Sequence, residues 1–116
     1  MRSWLLRGLL AAALVGTGAF SVRAADVPED TYLRYHRAII AAEQCAHQKF
    51  GTPEHERFDT YIVGKLGTDL SAGRKLTLIE QAKTEVGDLV EKKGCGDPDV
   101  ADLLALYDAE LAPLLR

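Results

Sequence analysis

The chain is predicted to be all-α: a small four-helix up-down bundle stapled by one disulfide, behind a cleaved N-terminal signal peptide. Three observations predict it. Apolar residues recur at steps of three and four along four segments. Capping residues, glycines and prolines punctuate those segments where helices should start and stop. The only two cysteines, Cys45 and Cys95, both lie downstream of the leader-like N-terminus and would close a loop of 50 residues.

The leader comes first in the chain. Arg2 and Arg7 precede an apolar run from Gly8 to Phe20, and Val22-Arg23-Ala24 supplies a small-x-small end. Residues 1–24 therefore read as the signal peptide, with cleavage after Ala24 and Ala25 as the fallback, and residues 25–116 as one helical bundle domain. The densest apolar stretch falls short of the roughly 20 residues a spanning helix needs. Gly8, Gly16 and Gly18 weaken it further as a permanent helix. No cysteine near the cleavage site points to a lipid anchor.

The first helix has Asp26 and Glu29 at capping-box spacing and Pro28 in its first turn. It is expected to run to about Lys49, with Tyr32, Tyr35, Ile39, Ala42, Ala46 and Phe50 as its apolar stripe and Gly51 as its stop. Thr52-Pro53-Glu54 restarts the chain as N-cap, proline and first-turn acid. The second helix then buries Phe58, Tyr61, Ile62 and Leu66 before Gly67 ends it. The third start is open among Thr68, Asp69 and Ser71, and Gly73 argues against helix before Arg74. Beyond it Leu78 or Ile79, Ala82, Val86, Leu89 and Val90 form a stripe, Lys92 and Lys93 suit a negative helix end, and Gly94 supplies a left-handed cap. Asp97-Pro98-Asp99 opens the last helix, whose stripe is Val100, Leu103, Leu104, Tyr107, Leu111 and Leu114. Pro113 should end or fray it.

Composition narrows function. Signal removal takes Arg2, Arg7 and Arg23, so 14 basic residues become 11 against 17 acidic ones, and it removes the only Trp and Met. An acidic domain has no electrostatic footprint for nucleic acid and is repelled by anionic lipid. An oxidising compartment lets Cys45 and Cys95 pair, which suits a domain small enough to be only marginally stable on core burial. A redox pair would sit as Cys-x-x-Cys instead.

The candidate sites are few. His36, Glu43 and His47 fall on one side of the first helix, and His55 opens the second. Glu43 and His47, at i,i+4, could chelate a metal, while His36 lies about 10 Å along the axis from Glu43. A metal needs three or four convergent ligands. Asp97-Pro98-Asp99 lacks the glycine and glutamate of a calcium loop and reads as a capped helix start. Haem attachment would need Cys-x-x-Cys-His, no nucleophile elbow or phosphate loop is present, and no cofactor or catalytic residue is expected. Tyr32, Tyr35, Tyr61 and Tyr107 could line an interface or keep their hydroxyls at the edge of the core.

These features predict an exported protein, periplasmic or secreted, that works by binding a protein partner or small ligand without catalysis. The alternative is metal binding or delivery through the histidines of the first helix.

Overall fold

The computed structural model describes residues 27–116; the expected signal segment, its cleavage site and the Asp26 half of the first cap lie outside the described residues. All regular structure among them is helical: α1 (Val27–Cys45), α2 (Thr52–Leu66), α3 (Ala72–Lys93) and α4 (Pro98–Leu106). From α4 the chain continues through a π turn (Tyr107–Leu111) and a 3₁₀ turn (Ala112–Leu115).

α1 is the centre of the molecule. Ala38, Ile39, Ile40, Ala41 and Ala42 are consecutive and all buried. Five residues exceed one turn, so this part of α1 is covered on every side rather than along one stripe. The alanines leave room for neighbours to come close. α3 packs along α1 most extensively, and α2 and α4 each pack on it as well. The pairings give the directions. Glu29 meets Arg74 at the start of α3, and Arg37 meets Glu85 further along, so α1 and α3 run the same way. Tyr32 of α1 meets Asp59 of α2, and Phe50 of the connector meets Phe58.

Helix ends follow local chemistry, with four departures from expectation. α1 stops at Cys45, about a turn before Lys49. His47 adopts φ 56°, a left-handed conformation where glycine is usual, and the Ala46 and Gln48 N–H groups both donate to the Ala42 carbonyl. Phe50 still reaches the core, from the connector rather than from a helix, stacking edge-on against Phe58 at 5.0 Å. α2 is capped one residue earlier than expected: Gly51 is the N-cap, and its N–H donates to Glu54 Oε1 at 2.7 Å. α3 begins at Ala72, with Gly73 inside its first turn, because the Ser71 hydroxyl accepts from the Arg74 N–H at 3.1 Å. Gly94 has the expected positive φ, 82°, but an extended ψ of 168° rather than a left-handed one.

Asp97 caps α4 as anticipated, accepting from the Asp99 N–H at 3.0 Å. Pro113 has no N–H and its ring would clash with the Ala109 carbonyl. The ladder therefore widens ahead of it, the Ala112 N–H bonding the Tyr107 carbonyl five residues back.

The Cys45–Cys95 disulfide is present, joining the last residue of α1 to the turn between α3 and α4 with Cα atoms 5.7 Å apart. No described helix is long and apolar enough to cross a membrane.

Candidate binding cleft

α2 and α3 both lie on α1 but scarcely touch each other. The space between them is a cleft of about 720 Å³, within the range of small-ligand sites. α1 contributes Tyr32, His36, Ile39, Ile40 and Glu43; α2 contributes Thr52, His55, Glu56, Asp59 and Thr60; α3 contributes Ile79 and Lys83. The isoleucines and the Tyr32 ring make an apolar base, and the polar groups arrive from different helices.

Asp59 organises one side of this cleft. Its Oδ1 accepts from the Tyr32 hydroxyl at 2.8 Å and its Oδ2 from Lys75 Nζ at 3.0 Å, a link from α2 to both α1 and α3. Lys75 also pairs with Asp69 at 3.0 Å, and these bonds hold its ammonium charged beyond the ordinary lysine range. Burial, reinforced by the bond to Asp59, pushes the Tyr32 phenol well above its usual value.

His36 is the unusual member. It is 5% exposed, its ring lies against Tyr32 at a tilt of 37° with centroids 4.6 Å apart, and its Nε2 has no hydrogen-bond partner among the described residues. Burial lowers its pKa to about 4, against the pull of Asp59 and with help from His55 and Lys75. The imidazole is thus neutral at pH 7. A buried polar atom without a partner is uncommon in folded proteins.

The expected metal ligands are only partly gathered. His36, Glu43 and His55 line the cleft, but His47 does not; it is exposed in the turn that ends α1. Among the described residues no three His, Cys, Asp or Glu side chains form a set able to hold a metal ion. The early end of α1 is the reason for His47, because its left-handed backbone carries it off the helical register that placed it beside Glu43.

The tyrosines divide. Tyr32, Tyr35 and Tyr107 are all buried in the core, Tyr32 where it also borders the cleft, whereas Tyr61 is half-buried. Tyr35 and Tyr61, edge-on at 6.0 Å, both donate to Glu110 Oε1, at 2.6 and 2.7 Å. Those bonds hold the Glu110 carboxyl below the usual carboxylate range, while burial and the same contact push Tyr35 up to about 12. Beside this cluster a depression of about 660 Å³, lined by Arg57, Tyr61 and Leu114 among others, contains only exposed or half-buried side chains.

Sequence reasoning missed Ile40, Glu56, Asp59, Thr60 and Lys83, and it named Ile39, Thr52 and Ile79 only as stripe or cap residues. A signal for Asp59 existed: it follows His55 at i,i+4, which places both on one side of α2. The chain matches no protein-family model, no curated protein and no solved structure.

Proposed function

We propose that this is an exported binding protein that takes a small ligand, without catalysis, in the cleft between α2 and α3. The single observation that carries the reading is His36: a neutral, buried imidazole with an unpartnered Nε2 in the wall of a cleft with an apolar base. Its desolvation without a partner is unfavourable, and a ligand that hydrogen-bonds it recovers part of that loss. The proposal favours a small ligand over a protein partner because the polar groups converge on a concavity rather than on a flat surface.

Export is part of the same reading. The leader-like residues 1–24, the disulfide and the absence of a membrane-spanning helix among the described residues support a periplasmic or secreted protein cleaved after Ala24. The helix pairings support the up-down order of the bundle, with the central α1 as its distinguishing feature.

Two measurements test the proposal. Amide spectra of the purified oxidised protein titrated with a neutral aromatic probe, 1-naphthylmethanol, should shift at Ile39, Ile40, Ile79 and His36; shifts confined elsewhere, or none, refute the cleft. N-terminal sequencing of protein recovered from the cell envelope or medium should begin at Ala25; an intact Met1 refutes export by cleavage.

A further inference from the structure

We infer that the ligand is a small organic amine, bound as a cation whose ammonium group sits between Glu43 of α1 and Glu56 of α2 while its apolar body lies on Ile39, Ile40 and Ile79. This rests on the ligand-binding reading above and adds the charge and shape of the occupant.

The lining is complementary to a cation with an apolar body. Three carboxylates line the cleft, and only Asp59 is spoken for, by Lys75 and Tyr32. Glu43 and Glu56 take part in no ion pair among the described residues. Lys83, the one cationic side chain of the lining, leans toward Glu80 of its own helix at 3.8 Å. The unmatched charge facing the cleft is therefore negative. Such a concavity with low-dielectric walls concentrates cations and repels anions. An ammonium group supplies charge-assisted hydrogen bonds to two carboxylates from facing helices. His36 adds no opposing charge, because its imidazole is neutral at pH 7.

A bare metal ion fits less well. No three ligands converge, and the isoleucine base offers nothing to an ion. An apolar body with one ammonium uses both halves of the lining.

Three probes of one shape isolate the charge: 1-naphthylmethylamine, 1-naphthylmethanol and 1-naphthoate, titrated into the purified oxidised protein at pH 7. The amine should bind about tenfold more tightly than the naphthoate and about threefold more tightly than the alcohol, as partly exposed ion pairs allow. Glu43→Gln with Glu56→Gln should bring the amine to the alcohol's affinity and leave the alcohol within about twofold of its original value. Equal binding of all three probes in the cleft overturns the amine assignment and leaves ligand binding standing. An amine affinity indifferent to the double substitution also overturns it. Failure of every probe to perturb the cleft removes both readings.

Discussion

Acidification from pH 7.5 to 5 should destabilise the protein through a single side chain, His36. In the unfolded chain its imidazole titrates at its ordinary value of 6.5; burial in the folded protein lowers that to about 4. Between these values the unfolded state binds a proton that the folded state refuses, so stability is full above pH 6.5 and falls as the pH drops toward 4. Integrating the difference gives a loss of about 2 kcal/mol by pH 5. His36 is 5% exposed, so solvent screening takes little from that figure. For a domain of this size the loss corresponds to a fall in Tm of roughly 8–16 °C. Carboxylates do not confuse the window. Glu29, Asp69 and Glu110 are held below their usual values by Arg74, by Lys75 and by the two tyrosines, so their contributions disappear only at lower pH. Urea unfolding at pH 7.5, 6.5, 5.5 and 5.0, for the natural chain and for His36→Leu, reads the effect as a difference between the two proteins. The natural chain should lose about 2 kcal/mol more than the variant over this range. Parallel losses in the two proteins would refute the assignment.

Three further outcomes follow from other parts of the fold. Replacing both Cys45 and Cys95 by serine reopens a loop of 50 residues and should lower stability by up to about 4 kcal/mol, read by thermal melting; an unchanged midpoint would mean the bond constrains little. His47→Gly relieves a left-handed residue at φ 56° and should raise stability by up to about 1 kcal/mol, while His47→Val should lower it by about 1–2 kcal/mol; the opposite order in chemical denaturation would contradict the turn described. Glu110→Ala leaves the buried Tyr35 hydroxyl without its acceptor and should cost about 1–3 kcal/mol, more than Tyr35→Phe, which removes the polar group together with its need; equal losses would show that the Tyr35 hydroxyl finds another partner.

The helices themselves were legible because each announces its ends in local chemistry. Asp97-Pro98 and Gly67 act within a turn of where they stand, and sequence shows them directly. The end of α1 was not legible. Ala46 and Phe50 continue a helical stripe, and nothing local to Ala46-His47-Gln48 forbids helix. What breaks it is tertiary: Phe50 gains contact with Phe58 and Tyr107 only if the chain leaves the helix first, and Cys45 is held by Cys95. The same limit governed the site. His36 and His55 could be named from composition, but their placement in one cleft depends on how α2 packs against α1, and Ile79 and Lys83 come from a third helix whose approach no local spacing encodes.

The cleft itself follows from the central role of α1. Helices α2, α4 and α3 are arranged around it, and the neighbours within that ring are joined: the 3₁₀ turn beyond α4 packs on α2, and α4 packs on α3. Among the described residues the ring is open between α2 and α3, where helix packing is replaced by the Asp59–Lys75 pair. Sequence makes that opening tolerable. The side chains turned toward it from α2 are Thr52, His55, Glu56, Asp59 and Thr60, all able to face water, whereas Phe58 and Ile62 of the same helix are fully buried. Had α2 met α3 closely, Glu56 and Thr60 would have been desolvated without partners, at a cost that apolar contact there could not repay. The polar face of α2 and the unpartnered imidazole beneath it are thus two consequences of one packing choice, and together they set this opening apart from the depression beside Tyr61, whose side chains are all exposed or half-buried.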